Sequence, residues 1–336
     1  MPDLTRLGPW VRRFLVEHLL TERNLSLNTQ RSYRDTLALL ITFFAREARK
    51  KVDKLAVTDL SAEWIGRFLV DLEKNRGCSI STRNQRLAAI HAFAKYVATH
   101  GPEFLAWCEQ IRSIPFKRHM KKQVAYLEKA EIDLMLDQPN LRIALGRRDH
   151  VVLLFLYNTG ARADEVAQLL ISDLELASVP SRHLSFVRIR GKGKKERLCP
   201  LWPQTVKELL PLIADRDSAD RVFLNRYGRP MTRFGIHRLV KRYRKRAAMQ
   251  MPALASKQVS PHSIRHTTAT HLLRAGVDLN TIRSWLGHVS LDTTNVYAEI
   301  DLEMKAKALA LCEVKPTKGR PRWTKDNGTL AFLRSL

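Results

Sequence analysis

Cysteine, acidic side chains and long apolar runs are scarce in this 336-residue chain. Its four cysteines (Cys78, Cys108, Cys199 and Cys312) lie 30 or more residues apart. That spacing excludes C-x-x-C metal or redox pairs and fits reduced thiols. No apolar run approaches the roughly 20 residues of a membrane-spanning helix, and the opening MPDLTRLGPWVRRF has no signal-peptide hydrophobic stretch. A cytoplasmic, nucleoid-associated protein with no membrane partner is therefore expected. Only 33 Asp and Glu face 58 Lys and Arg, leaving a formal charge of +25. An excess of that size points to a polyanionic partner, most simply nucleic acid. Low-complexity tracts and internal repeats are also absent, and with 45% hydrophobic residues the chain can bury a sizeable core. About two domains suit this length.

The charge is spread along the chain. Residues 1–112 carry +6, 126–312 carry +11 and the tail 313–336 carries +4. Between the first two lies SIPFKRHMKKQVA (113–125), with four basic groups and no acidic one. A basic, Pro-containing stretch between two periodic regions reads as an interdomain linker or as a solvated loop. Two positive domains favour the linker, because a chain that clamps a duplex needs phosphate contacts on both sides. Lys117, Arg118, Lys121 and Lys122 are its candidate DNA-binding residues.

Before the linker, apolar residues recur at helical steps in four or five short helices. Leu37, Leu40, Ile41 and Phe44 follow a cap at Asn28; Trp64, Phe68 and Leu72 follow Thr58-Asp59; Leu87, Ile90, Ala94 and Val97 follow Ser81-Thr82 and stop at Gly101-Pro102. Arg83 and Arg86 share a polar face of the last helix, to meet phosphates or simply to be solvated. After the linker helices dominate again, with one exception. Residues 183–202 alternate through Val187 and Ile189, turn at Gly191-Lys192-Gly193 and enter a second short apolar run, which reads as a β-hairpin with lysines near its tip. In 232–249, Ile236, Leu239 or Val240, Tyr243 and Ala247 share one helical face, and Lys241, Arg242, Lys245 and Arg246 lie opposite. Such a basic helix suits a DNA groove. The fold class is mainly α with a small β-hairpin, an α+β arrangement of two domains.

Four segments concentrate chemistry-bearing residues: TGARADE (159–165), GKGKKER (191–197), PHSIRHTTATH (261–271) and LGHVSLDTTNVY (286–297). In this order they resemble the phage-integrase, or tyrosine recombinase, family. SLNTQRSY (26–33) and STRNQRLAAIHAFAKY (81–96) are similar to that family's N-terminal core-binding domain, so the resemblance spans roughly residues 10–312. It implies a helical core-binding domain over 1–112 and an integrase catalytic domain over 126–312, closing on DNA as a clamp.

Cleaving a phosphodiester without a metal needs a nucleophile, neutralisation of the phosphorane charge and a proton for the leaving oxygen. Tyrosine, with a reference pKa near 10, is a poor nucleophile at neutral pH. Guanidinium groups favour its phenolate and suit the non-bridging oxygens geometrically. By resemblance, Tyr297 forms a 3′-phosphotyrosyl bond, Arg162 and Arg265 hold the scissile phosphate, and His262 and His288 hydrogen-bond or move protons there. Lys192 protonates the departing 5′ oxygen, with Lys194 and Lys195 as nearby alternatives, and Glu165 orients the arginines. His262 and His266 are four apart and could face one ion, but no Glu adjoins the first His and Arg265 would oppose a cation, so no metal is expected. GKGKKER lacks the Ser or Thr of a P-loop. No cofactor is implied, because the phosphotyrosyl bond conserves the energy of the broken phosphodiester.

The resemblance further implies double-stranded DNA as partner and a homotetramer, or a hetero-assembly with a sister recombinase, on paired sites. Residues 300–312 form the helix that docks on a neighbouring subunit in that family, or on its own domain. The tail beyond is a DNA-contacting extension or is disordered. A type IB topoisomerase and a non-catalytic DNA-binding protein of the same fold are the competing functions. The helical N-terminal domain argues against the first, and the intact Arg, Lys, His, Arg, His, Tyr set against the second. The chain begins almost at the core-binding domain, which fits a mobile-element integrase or transposase or an Xer-like resolvase. The basic tail favours the mobile element.

Overall fold

The structure, a computed structural model, describes residues 5–118, 125–176, 184–191, 195–287 and 333–334. The chain divides into two compact units, Met1–Lys122 and Gln123–Leu336.

Among its described residues the first unit is helical: α1 (Leu7–Arg12), prolonged with π-type winding over Arg13–Glu22, then α2 (Leu27–Glu47), α3 (Ala62–Lys74), α4 (Ile80–His100) and α5 (Leu105–Arg112). Serines start the long helices, each two or three residues from where the capping residues were expected. Ser26, Ser61 and Ser79 accept from the amides of Thr29, Trp64 and Thr82, the first free N–H groups that a cap oxygen can reach. Asn28 and Ser81-Thr82 already lie inside helices, whereas Asp59 closes a separate turn by accepting from the Ala56 amide at 3.0 Å and pairing with Lys50. α2 and α4 are also longer than expected, at 21 residues each. Aromatic rings join α1 and its extension to α4, with ring centroids 5.3 Å apart for Phe14 and Phe93 and 6.3 Å for Trp10 and Tyr96. Each such buried ring contributes about 1.5–3 kcal/mol.

The second unit contains α6 (Lys129–Leu136), α7 (Ala144–Thr159), α8 (Ala163–Gln168), β1 (Leu174–Glu175), β2 (Phe186–Arg190), β3 (Glu196–Pro200), α9 (Pro203–Ile213), α10 (Arg233–Ala247), α11 (Ala253–Ser256), α12 (Pro261–Arg274) and α13 (Leu279–Leu286). The expected hairpin is β2–β3, antiparallel with Val187 opposite Cys199 and Arg190 opposite Glu196. β1 joins it as a third strand that the sequence reading did not contain; two residues are too few for a period to show. Helices α7 and α12 are buried along most of their length and lie side by side. Two of the three threonines of α12 bond backbone groups with their hydroxyls. Thr268 donates to Tyr157 O at 2.8 Å, and Thr267 accepts from the Leu127 amide at 2.9 Å. α10 packs its apolar face inward and is locked to α7 through Asp149, a fully buried carboxylate that accepts from Tyr243 Oη at 2.8 Å and pairs with Arg148 and Arg242. Burial, with the hydrogen bond and charge of Asp149, pushes the Tyr243 phenol up to about 12. No helix among the described residues is long and apolar enough to cross a membrane.

Candidate active site

The site is built where the ends of two helices meet on α12. α7 ends at Gly160, which adopts a left-handed φ of +60° and reverses the chain into Ala161-Arg162. A Cβ there would lie 2.5 Å from a methyl of Leu286, the last residue of α13, so the position requires glycine for both conformation and space. α13 itself stops at Gly287, again left-handed with φ +65°. Arg265, in the middle of α12, bridges these two ends. It is 1% exposed and donates from Nη1 to Gly160 O at 2.8 Å and from Nη2 to Leu286 O.

Arg162 sits at the N-cap of α8 with its side chain 41% exposed. Its amide donates to Glu165 Oε2 at 2.8 Å and its Nη1 to Glu165 Oε1 at 2.7 Å. On the opposite side of that carboxylate stands Arg197 of β3, which donates Nη2 to Oε2 at 2.7 Å and Nη1 to Oε1 at 3.2 Å. Burial alone would raise the Glu165 carboxyl. The hydrogen bonds and charge of Arg197, with those of Arg162, outweigh it and hold Glu165 below the ordinary carboxylate value.

His262 opens the first turn of α12 with an exposed edge, and its Nε2 lies 2.9 Å from Nε2 of His266, one ring donating and the other accepting. Desolvation by its neighbours lowers the His262 pKa, and the guanidinium charges of Arg265 and then Arg162 lower it further. His262 is thus a neutral imidazole at neutral pH, within the field of both arginines. His271, one helical turn beyond His266, bonds Tyr157 Oη at 2.7 Å.

Arg162, Glu165, His262 and Arg265 are therefore brought together by the fold. Lys192, His288 and Tyr297 lie outside the described residues, as do Lys194, Lys121, Lys122 and the segment 300–312. Gly191 and Gly287, the residues immediately before Lys192 and His288, both border this cluster. The Cβ positions of Gly191 and Gly287 fall 3.4 Å from Glu165 Oε1 and 3.2 Å from Arg197 Cδ, respectively. The sequence alone assigns Arg197 no role, although it ends GKGKKER. The available signal was an arginine at an inward-facing strand position, in phase with buried Cys199.

The DNA-binding candidates divide. Arg83 corrects the expectation of a phosphate-facing residue: it is 6% exposed, donating to Pro115 O at 2.9 Å and to Asn84 Oδ1 at 3.0 Å beside Glu73. Residues 115–117 cover that face of α4 because Asn84 also bonds both the amide and the carbonyl of Lys117. The basic segment therefore starts as packed chain rather than as free linker. Arg86 is half-buried, with Nη1 3.5 Å from Thr36 Oγ1. Lys117 pairs with Glu73 at 2.9 Å, and Arg118 is exposed. On α10, Lys241, Arg242 and Lys245 are all exposed, but Arg242 is engaged by Asp149.

Comparisons with known proteins bear on the family and the fold. The sequence model described as the phage integrase family matches residues 125–304, and that of the phage integrase N-terminal SAM-like domain matches residues 11–101. A provisionally named integrase/recombinase of Sinorhizobium fredii, y4rC, is 37% identical over 98% of this chain and 98% of its own length. The tyrosine recombinase XerC of Pelobacter propionicus is 31% identical over 85% of this chain and 89% of its own. Among solved structures, the Tn1549 transposon integrase, in complex with transposon right end DNA, has a similar fold: TM-score 0.67 at 17% identity, covering 89% of this chain and 98% of that one.

Proposed function

The chain belongs to the phage integrase family of tyrosine recombinases, and from that premise we propose that it breaks and rejoins double-stranded DNA with Tyr297 as nucleophile. Site-specific recombination is the activity of the family; the residue roles rest on the resemblance of the four segments to that family, and the clustering of Arg162, Glu165, His262 and Arg265 supports them. The carrying observation is Arg265 bonded to both Gly160 O and Leu286 O, which gathers the Arg162 turn and the end of α13 onto α12. Two guanidinium groups act electrostatically on one neutral imidazole at this junction, a charge arrangement that suits a dianionic phosphorane. Arg162 and Arg265 hold the non-bridging oxygens. His262 and His288 hydrogen-bond the phosphate, and Tyr297 attacks the phosphorus: the bond to the tyrosyl oxygen forms as the bond to the 5′ oxygen breaks, leaving the phosphate joined to the 3′ oxygen and to Tyr297. The 5′ oxygen leaves with a proton from Lys192. Religation reverses these steps, so no cofactor is consumed.

The unit Met1–Lys122 serves as the core-binding domain, with the catalytic domain over 126–312 and a basic tail over 313–336. Lys241 and Lys245, exposed on α10, contact DNA phosphates. We further propose a tetramer on paired sites, with 300–312 as the docking segment, acting on cytoplasmic DNA at the nucleoid. The biological role is that of a mobile-element integrase, supported by the near full-length similarity to the integrase/recombinase of S. fredii. The similarity to XerC keeps dimer resolution as the second reading. Tyr297→Phe is the direct test: it should bind target DNA with parental affinity and form no covalent adduct. An adduct persisting in that variant would remove Tyr297 from its role.

A further inference from the structure

We infer that Arg197 is the positioning residue of this site: it neutralises Glu165 so that Arg162 keeps its charge for the phosphate, and it ties the hairpin and the end of α13 to the Arg162 turn. This deepens the recombinase reading above and rests on it.

Arg197 is itself 8% exposed at its side chain, so DNA would not reach it directly. Its three nitrogens are all committed. Nη1 and Nη2 take both oxygens of Glu165, and Nε donates to Trp285 O at 2.9 Å. Its aliphatic stem fills the space beside Gly287. One side chain on β3 therefore touches the turn after α7, the end of α13 and the strand that leads back to Gly191, whose amide bonds Lys195 O at 2.8 Å to close the described part of the hairpin. Those segments carry Arg162, His288 and Lys192 respectively.

The charge count gives the second half of the inference. Glu165 accepts four hydrogen bonds: the amide and Nη1 of Arg162, and Nη1 and Nη2 of Arg197. Two guanidinium groups and one carboxylate leave a net single positive charge, and it is presented on Arg162, the more exposed member. A guanidinium has five N–H donors, and Arg162 spends one of them on Glu165. Without Arg197 the pair Arg162–Glu165 would be neutral. The carboxylate would also have two unfilled lone-pair directions, free to draw Arg162 into a bidentate pair and away from a phosphate.

The test uses the full chain and a nicked duplex whose site is first obtained by capturing covalent adducts from a randomised duplex pool. Arg197→Ala should form the Tyr297 adduct about 100-fold more slowly, the scale of loss when reacting groups are displaced by about 1 Å. Binding of the same duplex should change by less than about threefold, since the phosphate contacts of α10 are untouched. Arg197→Ala combined with Glu165→Gln should recover about tenfold over Arg197→Ala, because deleting the carboxylate charge returns the charge of Arg162. A merely structural arginine would show no such recovery. Arg197→Lys, which keeps the charge but cannot bridge Glu165 and Trp285 together, covers the case in which alanine does not fold; it should fall between parent and alanine. Arg188→Ala, which removes a surface pair with Glu175 on the same sheet, should cleave at the parental rate. Cleavage by Arg197→Ala within about threefold of the parent, no recovery in the double variant, or a parental rate with lysine would each overturn the inference. Failure of the unaltered chain to form any adduct in the pool would instead overturn the recombinase reading, and this one with it.

Discussion

Replacing Gly160 by alanine should destabilise the second unit and disturb the site in one step. Two costs add. The left-handed conformation costs an alanine about 1–2 kcal/mol relative to glycine, and the φ of +60° leaves no way around it. The new methyl would then stand 2.5 Å from Leu286 Cδ2. Leu286 is fully buried among Ala269, Leu273 and Ile282, so its side chain has little room to turn aside. Overpacking of this kind costs about 1–3 kcal/mol. The sum is about 2–5 kcal/mol, and at about 2–4 °C per kcal/mol for a unit of this size the melting temperature should drop by roughly 5–15 °C. Calorimetry or urea unfolding monitored by circular dichroism measures it. A second variant separates the two costs. Leu286→Ala removes the methyl that clashes, so in the double variant the steric part should vanish while the conformational part stays. The coupling in that cycle should then be favourable by about 1–3 kcal/mol. A Gly160→Ala protein within about 0.5 kcal/mol of the parent, or a cycle without coupling, would refute the account of how α7 and α13 meet. Because Gly160 O is a hydrogen-bond partner of Arg265, adduct formation should fall further than stability alone explains.

Two further outcomes follow from the site. The His262 pKa lies below its ordinary 6.5, lowered by desolvation and then by Arg265 and Arg162. The folded state thus binds this proton less readily than the unfolded chain. The associated stability is complete above pH 6.5 and is lost as the pH falls from 6.5 through the depressed value. Adduct formation should accordingly hold its plateau down past pH 6.5 and decline only below it, and His262→Asn should abolish that acid limb; a limb centred at or above 6.5 would contradict the assignment. Arg83→Ala should lower the stability of the first unit by about 1–3 kcal/mol, through loss of its part-buried, charge-assisted bonds to Pro115 O and Asn84 Oδ1, and leave the salt dependence of DNA binding unchanged. Lys241→Ala should do the reverse, reducing the slope of log affinity against log salt by about one; equal effects of the two variants on that slope would refute the distinction.

The parts of the molecule legible in the sequence are those that repeat. Val187 and Ile189 alternate, and a hairpin forms there; Ile236, Val240, Tyr243 and Ala247 fall on one helical face, and that face is buried. What stayed hidden depends on partners distant in the chain. Arg83 was placed on an outer face because its own helix gives it one, but residues 115–117, more than thirty positions on, cover it. The caps were misplaced because Ser, Thr, Asn and Asp crowd each helix start, and only geometry selects which oxygen meets the free amide. Arg197 sits in a lysine-rich motif whose tip drew attention to charge rather than to the pleat. Strand phase alone marked it as inward-facing, and Glu165, its partner, lies 32 residues earlier.

The two site arginines look alike in sequence but are held in different ways, and the difference explains why a third is needed. Arg265 is oriented by carbonyl oxygens of Gly160 and Leu286, dipoles that fix a guanidinium without carrying a formal counter-charge. Arg162 lies at a chain turn with its side chain partly exposed, and the group that orients it is a carboxylate. A carboxylate fixes position more firmly than a carbonyl but also cancels charge, which opposes the phosphate-binding role proposed for Arg162. Placing Arg197 on the far side of Glu165 removes that conflict: the carboxylate keeps its hydrogen bonds to Arg162 while its charge is balanced from within the protein. The carbonyls of Gly160 and Leu286 therefore help to place Arg265 without cancelling its charge, and at Arg162 the Glu165–Arg197 pair reconciles the same two demands.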